Sequence, residues 1–231
     1  MPNWVYNTLT IQGPKSEIDF IKDKLNQPFK VLHDSWNMKT NEMEVSESIY
    51  SAPVFAFWNI HSPLEDGITM EEYVQQPNRL GISTDSPDWF AKEVEHAKTQ
   101  KDWYNWNTSK WGTKWDVSTE GLEYTDNGDG TSTIEGYFDS AWSPPVEAFT
   151  TLAQDWDSCY IELKYFEPGM CFIGLYDSEG GDDYWENVDE LLETTAEEDP
   201  VLHGLIEDFC AADWYASEEE LETVWGGNHE A

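Results

Sequence analysis

The chain has 231 residues, 47 acids against 12 Lys and Arg, and a formal net charge of -35. That charge excludes non-specific binding to nucleic acid and to anionic membranes, because both are polyanions. The 13 Trp, 11 Tyr and 10 Phe exclude a disordered acidic protein, which would be poor in aromatics, so the chain should fold.

Trp4 to Ile11 reads as the first strand, with Trp4, Tyr6, Thr8 and Thr10 on one face and Val5, Asn7, Leu9 and Ile11 on the other. Gly13-Pro14 ends it, and Ile18, Ile21 and Leu25 then recur at helical spacing. Residues 27–51 are polar and give no clear element, and Val54 to Ile60 is an apolar strand or buried loop. Thr69 and Glu72 form a capping box, and Ser86-Pro87 predicts the start of a helix carrying Phe90, Val94 and Ala97. Asn127-Gly128-Asp129-Gly130, between runs 120–126 and 131–139, predicts a β-hairpin. Ser143-Pro144 predicts a helix that turns Val146, Phe149, Ala153 and Trp156 to the core. Cys159 to Phe166 and Met170 to Tyr176 read as strands joined by a turn at Glu167-Pro168-Gly169.

Without the long insertion and the last strand, this order is βαββαβ, so the predicted class is α+β with a ferredoxin-like, split-βαβ antiparallel sheet. The expected domains are residues 1–176, with an insertion at about 27–115, and an acidic helical C-terminal module over 177–231. That module carries no Lys or Arg, since Lys164 is the last of these, yet it holds nineteen acids. Asp182 or Asp183 would cap a helix over Tyr184 to Thr195, with Val188, Leu191 and Leu192 inward. Its acids Glu186, Asp189, Glu190, Glu193 and Glu197 would form the opposite stripe. Asp199-Pro200 caps a second helix burying Leu202, Leu205, Ile206 and Phe209, and Ser217 with Glu220 caps a third.

Carboxylates three and four apart on a helix lie about 5–6 Å from one another. A fixed row of them can occupy a groove built for phosphates, whereas an ordinary solvated helix interleaves Glu with Lys. The stripe is therefore a candidate partner-binding surface, and Glu218, Glu219, Glu220 and Glu222 are a second patch; the bland alternative is a solubilising face. Trp103, Tyr104, Trp106, Trp111 and Trp115 are a candidate stacking platform, or else core. His33, His61, His96, His203 and His229 are scattered without metal-ligand spacing, and no metal or cofactor is predicted. The hairpin loop at Asp126 lacks the ligand order of a calcium site. There is no GxSxG, P-loop or GxGxxG, so no catalytic residue is named. Cys159, Cys171 and Cys210 contain no CxxC pair and read as reduced. The opening MPNWVYNTLT lacks a basic n-region and an apolar run, which argues against a signal peptide.

Four strings in this order carry a resemblance: Met1-Pro2-Asn3-Trp4 with Asn7 and Leu9; Trp111-Gly112-Thr113-Lys114-Trp115-Asp116; Ala141-Trp142-Ser143-Pro144-Pro145; and Tyr165-Phe166-Glu167-Pro168-Gly169. Together they resemble the YubB-type ferredoxin-like proteins of bacteriophages and conjugative plasmids, over about residues 1–176. The resemblance implies a ferredoxin-like fold and a mobile-element origin, and supplies no activity. Family members often have Cys where this chain has Val5, so no role for that thiol carries over.

The resulting expectation is a non-enzymatic phage or plasmid protein of the host bacterial cytoplasm. It would bind and inhibit a host nucleic-acid-binding defence protein, such as a restriction enzyme, a CRISPR effector or another nuclease. Its carboxylates would mimic nucleic acid, and it would bind no nucleic acid or membrane itself. The alternatives are a small-ligand-binding or enzymatic domain with a Trp-rich pocket, and an acidic virion-associated or scaffold protein.

Overall fold

The structure is a computed structural model that describes residues 3–51, 55–75, 80–81, 83–117 and 122–215. Strand β1 (Trp4–Pro14) is followed by helix α1 (Lys15–Leu25). The insertion then forms β2 (Phe29–Asn37), β3 (Glu42–Tyr50), a 3-10 turn at Phe57–Asn59, and helices α2 (Met70–Tyr73), α3 (Trp89–Ala97) and α4 (Trp103–Lys110). The chain returns through β4 (Glu123–Asp126), β5 (Thr131–Ala141), α5 (Val146–Asp155), β6 (Tyr160–Glu167), β7 (Phe172–Asp177) and β8 (Gly181–Glu186). The last helices described are α6 (Val188–Leu191), α7 (Pro200–Asp208) and α8 (Ala212–Tyr215).

The main sheet has the order β4-β5-β1-β6-β7-β8, with every neighbouring pair antiparallel. Its first four strands, with α1 and α5 as crossovers, are the ferredoxin-like arrangement expected from the βαββαβ order. Strands β7 and β8 extend it as a meander. Residues 27–51, unassigned from sequence, are the β2–β3 hairpin, a separate two-stranded sheet.

The period-2 pattern of β1 buries Val5, Asn7, Leu9 and Ile11 and leaves Trp4 and Tyr6 exposed. The buried row packs on Ile18, Ile21 and Leu25 of α1 and on Phe149 and Leu152 of α5. Phe55, Phe57, Trp58, Trp106 and Trp111 of the insertion join this core. The capping box at Thr69 and Glu72 forms with both hydrogen bonds. Helix α3 begins two residues after Ser86-Pro87 and buries nothing; Phe90 and Val94 are exposed.

On the opposite face of the sheet a second cluster joins Phe166 and Ile173 to Val188, Leu202, Leu205, Ile206 and Ala212. Asp199 caps α7 through the Leu202 N–H, as expected, with Pro200 first in the helix. Lys164 Nζ reaches Asp208 at 2.7 Å, and the Tyr215 hydroxyl donates to the Pro168 carbonyl at 2.8 Å. Apolar burial therefore holds the described C-terminal helices on the sheet, while most of their carboxylates face water. Leu205→Ala is expected to lower stability by about 2–5 kcal/mol, the range for truncating a buried Leu. Urea unfolding followed by Trp fluorescence and far-UV circular dichroism checks this, and both probes should shift together.

Candidate functional site

The helix expected over Tyr184 to Thr195 does not form. Tyr184 and Trp185 lie in β8, paired with Gly174 and Ile173 of β7. Gly180 and Gly181 turn the chain back on β7 (Gly181 has φ +100°), so two aromatics with high strand propensity meet an unpaired strand edge. Asn187, at φ 56°, then breaks the strand, and only one helical turn, Val188–Leu191, follows. The predicted stripe is thereby divided: Glu186 ends a strand, Asp189 and Glu190 lie on α6, and Glu193 and Glu197 follow it. All five are exposed, and none makes an ion pair among the described residues. Glu218, Glu219, Glu220 and Glu222, with the capping box at Ser217, lie outside the described residues.

The four strings singled out in the sequence meet at one corner of the sheet. The Trp142 N–H donates to the Asn3 carbonyl at 2.9 Å, and Thr113 Oγ1 to the Ala141 carbonyl at 2.8 Å. Ser143 Oγ donates to the Gly112 carbonyl at 2.5 Å instead of capping α5. Gly112 has φ +81°, and a Cβ there would sit 3.1 Å from the Pro144 carbonyl oxygen. Buried Asn7 donates to Ser140 Oγ and to the carbonyls of Val5 and Phe138. Buried Glu167 accepts the N–H groups of Gly169 and Met170, which closes the β6–β7 turn.

This stitching directs the segment after α4 under the insertion and places Asp116 there. Asp116 Oδ1 accepts the N–H of Phe57 at 2.6 Å and of Val117 at 2.7 Å, and Oδ2 accepts the N–H of Trp58 at 3.1 Å. Asp116 is half-buried, with part of its surface open to the cavity, and the packing around it pushes its carboxyl from the usual 3.8 up to about 7, against the pull of the three N–H donors. Asp116 lines a cavity of about 300 Å³ with Phe29, Tyr50, Trp58, Trp103, Asn107 and Trp115. The Tyr73 hydroxyl donates to Asn107 Oδ1 at 2.9 Å, and Asn107 Nδ2 donates to the Lys114 carbonyl at 3.0 Å. Of the predicted aromatic platform, Trp106 and Trp111 are core, while Trp103, Trp111 and Trp115 border the cavity. Trp115 packs 6.2 Å from Trp4, where the insertion meets the sheet.

In the sequence Asp116 stands out only as the last residue of a string. The signal for more was its place behind Trp111 and Trp115, since a carboxylate amid dense aromatics is a buried-acid candidate. Among the described residues no group of three or more His, Cys, Asp or Glu is arranged to hold a metal. The three Cys are free; Cys159 is buried, and burial pushes its thiol up.

Residues 110–201 match a family model described as the ferredoxin-like domain in Api92-like protein. The match spans the return from the end of α4 through β8 and α6 to the start of α7, and so covers three of the four strings wholly. Among solved structures, the crystal structure of api92 from Yersinia pseudotuberculosis aligns at a TM-score of 0.38 and 13% identity, over 80% of this chain and 98% of that one. No curated protein matches the chain. No described helix is long and apolar enough to cross a membrane.

Asp116 gives stability a defined pH dependence. Its folded pKa lies above its unfolded value, so the folded state binds the extra proton between about 4 and 7 and stability falls as pH rises through that window. The loss is at most about 4 kcal/mol, at about 1.36 kcal/mol per unit. Below that window the slope reverses. Glu72, held below the usual carboxylate range by the Thr69 N–H and Lys101, and Asp88, held low by Lys92, lose their stabilising charge there. Thermal melts across pH 5–8 should show a falling curve for the wild type and a flatter one for Asp116→Asn, with general like-charge repulsion common to both.

Proposed function

We propose that this is a binding protein, of mobile-element origin, whose acidic C-terminal surface engages the basic nucleic-acid-binding surface of a host defence protein and so inhibits it. The observation that carries this reading is a charged surface without counter-ions. The last Lys or Arg of the chain, Lys164, is already paired with Asp208, and the exposed carboxylates of Glu186, Asp189, Glu190, Glu193 and Glu197 have no cation among the described residues. Loss of the long helix changes the form of the reading. Phosphate mimicry would rest on an acidic edge made by β8, α6 and the following loop, with Asp183 beside it, in place of a regular helical row. The edge is fixed from behind by Val188 and Trp185 in the second apolar cluster, so its charges are presented from packed elements.

Opposite charges steer association and are screened by salt. The tagged protein should capture a nucleic-acid-binding protein from host lysate at about 0.15 M salt and release it at about 1 M, where screening shortens to roughly 3 Å, or on addition of DNA. Replacing Glu186, Glu190, Glu193 and Glu197 by Gln and Asp189 by Asn should reduce capture by about tenfold or more while circular dichroism stays unchanged. Equal capture by the neutral variant contradicts the reading. A second reading, a small-ligand-binding domain, is favoured by the aromatic cavity over Asp116.

A further inference from the structure

We propose that the cavity between the β2–β3 hairpin and α4 is a binding site for a small organic cation, of the alkylated ammonium class, held against aromatic rings and the Asp116 carboxylate. The inference rests on the second reading above and names its ligand. The cavity, about 300 Å³, sits at the lower end of the roughly 300–1,000 Å³ typical of small-molecule sites. Its walls are ring systems. Phe29 stacks on Tyr50 at 4.7 Å and on Trp58 at 5.8 Å, and Trp58 meets Tyr73 edge to face at 5.7 Å. Trp103 and Trp115 complete the aromatic lining.

The polar groups decide the ligand. No Lys or Arg lines the cavity, no cation of the chain pairs with Asp116 among the described residues, and the Asp116 carboxylate repels an anion; His33, exposed at the lining, is its one imidazole. A polyhydroxyl ligand would need several free donors and acceptors. Asn107 already uses Oδ1 for Tyr73 and Nδ2 for the Lys114 carbonyl, and Tyr73 spends its proton on Asn107. The charged group of the lining is the carboxylate, whose Oδ1 takes two N–H groups and whose Oδ2 takes one, leaving Oδ2 with spare capacity. A cation beside aromatic faces, with a carboxylate behind it, uses the rings and the charge together. The rim already shows this chemistry: Lys114 Nζ stands 4.7 Å from the Trp115 ring centre and 5.8 Å from that of Tyr104.

Choline and its neutral carbon isostere 3,3-dimethyl-1-butanol separate charge recognition from simple filling of an apolar hole. Calorimetry on the full chain at pH 8 should show saturable choline binding, with the isostere weaker by about tenfold or more. Asp116→Asn should weaken choline by about tenfold and leave the isostere unchanged. Because Asn would turn an N–H₂ toward one of the backbone donors, Trp115→Leu, half-exposed at the rim, is the companion variant. It should weaken choline about threefold or more at an unchanged circular dichroism spectrum. Equal affinity for choline and the isostere overturns the cation assignment while leaving an apolar ligand site. Absence of saturable binding by either overturns the ligand site, and neither result touches the acidic-surface reading.

Discussion

The carboxylate of Asp116 is the tie on which the upper layer of this molecule depends. Its three backbone hydrogen bonds fasten the turn at Phe57–Asn59, the point where a long insertion folds back onto the ferredoxin-like core. Through that turn Phe55 and Phe57 reach Phe138 of β5 and Phe149 of α5 at ring distances of 5.3–6.5 Å. The Trp111 indole donates to the His61 carbonyl and that of Trp106 to Asp66, which holds α4 over the same segment. Desolvating a half-buried carboxylate is costly, but one that closes three backbone donors costs far less than three donors left open beside an apolar core. The same placement gives the cavity its floor, so fold and candidate site share one group.

The two faces of the sheet serve different ends. One face carries the aliphatic row of β1 and the aromatic layer from the insertion. The other receives the C-terminal helices on a smaller cluster around Phe166, with Trp214 set 6.0 Å from Tyr6 of β1. That cluster has to overcome the repulsion of a segment without Lys or Arg, and the Lys164–Asp208 pair is the only Lys or Arg ion pair the described tail has. Packing acids outward on an apolar underside separates the two demands: the core is built locally, and the field is left for solvent or a partner.

Much of this was legible in the sequence. The alternation along β1, the Asn-Gly and Asp-Gly hairpin, and the spacing of Phe149 with its neighbours on α5 each state their element, and the element order states the topology. The β2–β3 hairpin was hidden because it is mostly exposed, Val45 and Ile49 included, and so shows no buried period. The segment 184–195 misled for the opposite reason. Acids at helical spacing imitate a stripe, but a glycine turn and an open strand edge at β7 draw Tyr184 and Trp185 into the sheet. The cavity was foreshadowed only by Trp density. Its carboxylate could not be picked from 47 acids, because burial depends on how distant strings meet.

Carboxyl-carbon NMR of the full chain, with Asp116 assigned by comparison with Asp116→Asn, tests the central claim most directly. A titration midpoint near 7 is the predicted result, set by burial beneath the insertion against three N–H donors. A midpoint at or below the ordinary 3.8 would contradict it, because the three N–H donors, or water reaching the carboxylate, would then outweigh burial.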